Sequence, residues 1–277
     1  MALVAAALLP HPSALVSGAD SHRPADAGKS EYKKTVAGFT AVAKLLSQKK
    51  IDTLIVVSPR VHSETTPYAA RPSDPSGYYF LGLDKVQVSL PHLQPGGAPR
   101  VFNADIGFIE LVKQRARPFG LQVHVSPSIA IDEQASVALS LLQLAEPWPK
   151  IVSVVLPYKS PKELFEFGRI LGGVAAQEQH SFALLAVGNL SSRLSKESAA
   201  GFDAFGAEFD QAVVSAAKKN DFIPVTNFNP AMLEKSGEEA SRPLAVVAAA
   251  VHGGPLKSKL VSYEAVAGVG HAVLTWS

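Results

Sequence analysis

Cysteine is absent from the 277 residues, and methionine and tryptophan occur only twice each. Without cysteine there are no disulfides, thiolate zinc sites, iron–sulfur clusters or cysteine nucleophiles. Any metal has to be held by imidazole, carboxylate or water. An excess of one charge sign is missing too. Lys and Arg number 26 against 24 Asp and Glu, a formal net charge of +2, which gives no reason to expect nucleic acid as a partner. No apolar run reaches the ~20 residues that a membrane span needs: residues 1–10 and 244–251 are both too short. Residues 1–10 also lack the positively charged start of a signal peptide, and Pro10-His11-Pro12 follows where small residues would be needed for cleavage. These absences predict a soluble, cytoplasmic protein.

What is present is apolar: 47% of residues are hydrophobic and 18% charged, enough to fill a sizeable core and too apolar for disorder. Buried-strand runs recur at 3–9, 53–58, 86–89, 151–156, 182–187 and 271–276. Helical periodicity falls between several of them. In 30–48 the apolar positions Val36, Phe39, Val42, Ala43 and Leu46 follow a 3.6-residue repeat. Ser160-Pro161-Lys162-Glu163 reads as a capping box with proline at the first helical position, opening a helix to 177. Further helices are expected around 206–219 and 242–252. This alternation predicts an α/β fold, a three-layer α/β/α sandwich on a mainly parallel central sheet. A stretch rich in Pro, Gly, Ser and Tyr, 60–99, interrupts it as a loop-rich insertion of the kind that often binds or covers ligands. No repeat or low-complexity linker divides the chain, so a single domain over 1–277 is expected.

In an open α/β sheet, ligands gather where strands give way to loops. Four such segments stand out: Leu9-Pro10-His11-Pro12; Ser58-Pro59-Arg60-Val61-His62-Ser63-Glu64; Ile131-Asp132-Glu133-Gln134; and Val187-Gly188-Asn189-Leu190-Ser191-Ser192-Arg193-Leu194. Glu238-Glu239 precedes the late apolar helix. Two histidines and a carboxylate from these segments suffice for a ferrous-iron facial triad. Taken singly they have plainer readings: a histidine after a strand is more often simply hydrogen-bonded, and Asp132-Glu133 and Glu238-Glu239 suit helix N-termini. His22, His92, His124 and His180 have no partner pattern. The sequence has no G-x-S-x-G, P-loop or dinucleotide fingerprint.

Taken in order, these pieces resemble a known family. Leu8-Leu9-Pro10-His11-Pro12, Asp52-Thr53-Leu54-Ile55-Val56-Val57-Ser58-Pro59, Ile131-Asp132, Gly188-Asn189-Leu190-Ser191, Gly201-Phe202, Glu208-Phe209-Asp210, Ser262-Tyr263-Glu264 and Gly268-Val269-Gly270 are similar to the LigB-like superfamily of class III extradiol ring-cleavage dioxygenases. The resemblance is strongest to the bacterial branch associated with Memo-like and radical-SAM proteins, and it runs nearly end to end. It implies a LigB-like sandwich. It also implies, in active members, Fe(II) held by two histidines and a glutamate, with His11 at the first histidine position and Glu238 at the glutamate position. At the family's second metal histidine stands Arg60, with His62 two residues on as the ligand a shifted loop would supply. Its Asp-His-Gly is Asp132-Glu133-Gln134, and the acid–base histidine after Asn189 is replaced by Ser192.

Two functions follow from the resemblance. An active chain would use Fe(II), bound by His11, Glu238 and His62, to insert O2 into a catechol-type aromatic ring. A catalytically degenerate relative would hold no metal. It would bind a small aromatic ligand or serve as a homo-oligomeric or partner subunit, with Arg60, Asp132, Glu133, Asn189 and Ser192 lining the old pocket. The residue chemistry favours the second: guanidinium offers iron no lone pair, and a serine hydroxyl does not relay protons near neutral pH as imidazole does.

Overall fold

The structure, a computed structural model, describes residues 3–16, 30–58, 78–81, 84–90, 98–126, 131–144, 146–157 and 159–277. Ten strands are seen among them: β1 (Leu3–Leu9), β2 (Thr53–Ser58), β3 (Tyr78–Leu81), β4 (Lys85–Val88), β5 (Arg100–Asn103), β6 (Val123–Ser126), β7 (Lys150–Val155), β8 (Phe182–Val187), β9 (Ser258–Val266) and β10 (Val269–Trp276). Eight of them form one sheet in the order β6-β3-β7-β2-β8-β1-β10-β9. Its centre, β7-β2-β8-β1, is parallel. The β9–β10 hairpin extends it antiparallel on one side, and β3 with β6 on the other.

The helices are α1 (Lys33–Lys49), α2 (Ile106–Ala116), α3 (Glu133–Leu142), α4 (Pro161–Gln177), α5 (Ala204–Lys219), α6 (Ile223–Thr226), α7 (Pro230–Ser236) and α8 (Ser241–Val251). They cover both faces, and that is why the central strands β1 and β8 are apolar at every position instead of alternating. In β1, Ala5, Ala7 and Leu9 pack with Phe39 and Val42 of α1 and Leu139 of α3. Ala6 and Leu8 point the other way, into the core shared by Phe167 of α4, Phe209 of α5 and Leu244 of α8. The three-layer α/β sandwich expected from the sequence is the fold observed.

Local sequence sets the helix boundaries. Ser160 accepts from the Glu163 amide while Glu163 reaches back to the Ser160 amide, a complete capping box. Close packing of α4 on α8 depends on Gly168 and Gly172, where a Cβ would stand 2.3 Å from the Val246 and Ala250 carbonyl oxygens. The run 86–89 is strand as expected, but it lies in a separate two-stranded sheet, β4 with β5. Within the expected insertion 60–99, the described residues include β3 and β4.

Candidate functional site

The carboxyl ends of β1 and β8 lie side by side, and the chain leaving each is tied to the other. The Gly188 amide donates to the Leu9 carbonyl at 3.0 Å, and the His11 amide donates to Asn189 Oδ1 at 3.1 Å. The Asn189 carbonyl in turn accepts from the Glu239 amide at 3.2 Å. One residue thus fixes the backbone of both His11 and Glu239. Gly188 makes room for this: a Cβ there would come within 2.8 Å of Ala240 Cα and 2.9 Å of the Glu239 carbonyl oxygen.

The side chains converge in the same place. His11 Nε2 stands 2.7 Å from Glu239 Oε2, and Gln134 Nε2 donates to the other Glu239 oxygen at 2.8 Å. The His11 side chain is 12% exposed and that of Glu239 36%, so the pair opens to solvent at its acidic end. Asp132 caps α3 by accepting from the Ala135 amide at 3.1 Å. Desolvation pushes its carboxyl up, opposed by the Ala135 amide, the Ser58 hydroxyl and the nearby His11 ring.

Glu238, the expected glutamate, turns elsewhere. Its two oxygens accept from the Ser241 amide and hydroxyl, each at 2.6 Å, and so cap α8. Desolvation raises its carboxyl above the usual range, with Ser241 and then Arg242 opposing. The carboxylate that meets His11 is its neighbour, Glu239. Glu133 sits exposed on the first turn of α3. The Ser192 hydroxyl donates to the Gly237 carbonyl at 2.8 Å, joining the loop after β8 to the one before α8. His124 lies in β6 and His180 beside Asp52, both away from this site. Arg60 and His62, together with His22 and His92, lie outside the described residues.

A buried support lies behind the Gly188–Ser192 loop. Asp210, from α5, accepts from the Ser191 amide and the Tyr263 hydroxyl, each at 2.8 Å. Burial pushes its carboxyl up to about 7, opposed by those two donors and reinforced by Glu238. The third component found only in the structure is His271 in β10, 2% exposed and close enough to His11 for their charges to interact. Its signal in the sequence was slight, a histidine at the start of an apolar strand. Asp210 and Tyr263 lay within the family-like segments but carried no role of their own.

Residues 5–275 match the family described as the catalytic LigB subunit of aromatic ring-opening dioxygenase. The chain belongs to the LigB family. Protein CA_C1420 of Clostridium acetobutylicum is 24% identical to this LigB-family chain over 271 residues, covering 96% of it. The chain spans about half the length of that relative, 56%. Among solved structures, the uncharacterized protein JW3007 from Escherichia coli K12 superposes with a TM-score of 0.66 at 12% identity, over 99% of both chains; this supports the fold alone.

LigB-family dioxygenases generally depend on Fe(II), so the donor set here has to be compared with that ion. His11 and Glu239 offer one imidazole and one carboxylate, already joined by a hydrogen bond. Among the described residues, no group of three or more His, Asp or Glu is arranged to hold a metal ion. Among the described residues, the donors that meet directly are one imidazole and one carboxylate, short of the two-histidine, one-carboxylate set of an iron site. No helix among the described residues is long and apolar enough to cross a membrane.

Proposed function

We propose that this LigB-family chain, of the Memo-like bacterial branch, binds a small catechol-type diol at the His11–Glu239 pair and does not open its ring. The observation that carries this reading is the 2.7 Å contact between His11 Nε2 and Glu239 Oε2, with Gln134 on the second oxygen. A carboxylate held in this way keeps the imidazole proton on Nε2 and leaves Nδ1 as the lone-pair nitrogen. Nδ1 is then the acceptor for a ligand hydroxyl. Gln134 Oε1 is buried with no hydrogen-bond partner among the described residues, which leaves a second acceptor on the side chain that holds Glu239.

Ring opening would need groups that the site holds differently. At the place of the acid–base histidine, Ser192 has its hydroxyl engaged with the Gly237 carbonyl. Its high intrinsic pKa bars proton relay near neutral pH. A second reading rests on the same pair: His11 and Glu239 are two of the three donors an iron site requires, and His62 would be the third.

The two readings separate on an absorbance titration with 4-nitrocatechol, whose spectrum reports ionisation of its hydroxyls. Saturable binding by the wild type, weakened at least tenfold in His11→Ala and without oxygen uptake after Fe(II) loading, is the expected result. Equal binding by His11→Ala, or no binding at all, would overturn the diol reading. Iron-dependent oxygen uptake would establish the second.

A further inference from the structure

A cavity of about 430 Å³ opens among α4, α7 and α8, and neither His11, Gln134 nor Glu239 lines it. Gly168 of α4 packs against Val246 of α8 and Gly172 against Ala250. The two helices therefore run side by side in the same direction, and their first turns lie together. The chain entering α4 brings Lys159 to the cavity, the first turn of α8 brings Arg242, and α7 adds Leu233. A volume of this size suits a small organic molecule, for which pockets of ~300–1,000 Å³ are usual.

The lining sorts its chemistry by exposure. Phe228, Leu233 and Pro161 supply apolar surface, and Phe228 is held by Phe209 of α5 at 5.5 Å between ring centroids. Two cations share the cavity with them, both half-buried. Lys159 stands over the Tyr78 ring, 5.9 Å from its centroid, and Arg242 opens α8. A guanidinium carries five N–H donors and an ammonium three, and neither accepts. Of the acids, Glu238 has both oxygens taken by the Ser241 amide and hydroxyl. Glu163 and Glu234 are exposed, where water and salt screen their charge, and Glu163 turns its carboxylate onto Ser160. The half-buried part of the cavity thus presents donors and apolar surface, with its acids spent on a cap or facing solvent.

We propose that this cavity is a binding site for a small aliphatic monocarboxylate, separate from the His11–Glu239 pair and independent of what that pair binds. The alkyl body lies against Phe228, Leu233 and Pro161, and the carboxylate takes N–H donors from Arg242 and Lys159. A planar guanidinium matches a carboxylate in shape as well as charge. The three glutamates set the charge of the head group: they oppose a dianion such as a phosphate monoester about twice as strongly as a monoanion. A neutral head forgoes the charge-assisted bonds to both cations, and a cationic head is repelled by them.

Calorimetric titration with three eight-carbon probes, octanoate, octan-1-ol and octylammonium, tests the site. Wild type is expected to bind one octanoate per chain, about tenfold or more tighter than either of the other two. Lys159→Gln and Arg242→Gln should each weaken octanoate by about fivefold or more and leave octan-1-ol unchanged. Leu233→Trp, which fills the cavity, should abolish binding of octanoate, and His11→Ala should bind it as wild type does. No saturable octanoate binding, equal binding of octan-1-ol, or tighter binding of octylammonium would each overturn the proposal. So would wild-type octanoate affinity in both Lys159→Gln and Leu233→Trp. Octanoate binding lost in His11→Ala but kept in Leu233→Trp would place the probe at the His11–Glu239 pair and overturn it too. Should Arg242→Gln not fold, Lys159→Gln and Leu233→Trp decide.

Discussion

Glu239 Oε2 stands 2.7 Å from His11 Nε2, while Glu238, one residue earlier, directs both carboxylate oxygens onto Ser241. Two adjacent acids thus serve different links of the structure. Glu238 starts a helix, and Glu239 orients a histidine.

Removing each acid should separate the two roles. Glu238→Ala leaves the Ser241 amide uncapped and is expected to cost about 1 kcal/mol of stability, the usual range for a lost cap being ~0.5–2. Its 4-nitrocatechol affinity should stay within about twofold of wild type, given that it does not touch His11. Glu239→Gln should do the reverse, with a near wild-type melting temperature and binding weakened by about tenfold, one charge-assisted hydrogen bond. Thermal melts and titrations of the same preparations check both.

Gly188→Ala probes how the loop after β8 holds Glu239. The added Cβ would meet the backbone of Ala240 and Glu239 at 2.8 and 2.9 Å, atoms that yield only if the chain before α8 shifts. Overpacking of this kind costs ~1–3 kcal/mol, and the shift moves the Glu239 carboxylate away from His11. Both stability and ligand affinity are expected to fall. A variant with wild-type affinity would show that the approach of the two loops does not set the pair.

Asp210 supplies a pH signature. Its folded-state value, about 7, lies above the ordinary 3.8, so the folded protein holds the proton more tightly than the unfolded chain. Its contribution is fully present below about pH 4 and is lost as pH rises through 7. Asn does not titrate and keeps an acceptor for the Ser191 amide. The stability of Asp210→Asn relative to wild type should therefore climb between pH 4 and 7 and then level off, by at most about 4 kcal/mol. Denaturant titrations across that range measure it, and a flat difference would contradict the assignment.

His271 works in the opposite direction. Its folded value, about 4, lies below the ordinary 6.5, so its contribution is present above 6.5 and is lost as pH falls through 4. His271→Phe should flatten this acid limb of the wild-type stability curve. An unchanged limb would place the acid sensitivity elsewhere.

Much of the fold was legible because strands buried on both faces appear as unbroken apolar runs. β1, β2, β7, β8 and β10 each coincide with such a run, and the capping box at Ser160 forms as its spacing predicts. β9 is half-buried along its length and carries no such run. The site was legible wherever a side chain directly follows a strand or opens a helix, as with His11, Asn189 and Asp132. The Glu238-Glu239 pair was ambiguous in sequence, because only the first turn of α8 decides which acid turns inward. Glu133, on the outer side of α3's first turn, leaves Gln134 to reach Glu239. His271 was hidden by distance along the chain: it comes near His11 only because the first strand pairs with the last.

The central claim is that His11 and Glu239 form a hydrogen-bonded pair for an organic ligand and do not form part of a ferrous-iron site. The most direct measurement is iron content per chain after anaerobic Fe(II) loading and desalting, with wild type beside His11→Ala. The account predicts well under one iron per chain in wild type and no difference between the two proteins. One iron per wild-type chain, lost in His11→Ala, would contradict it.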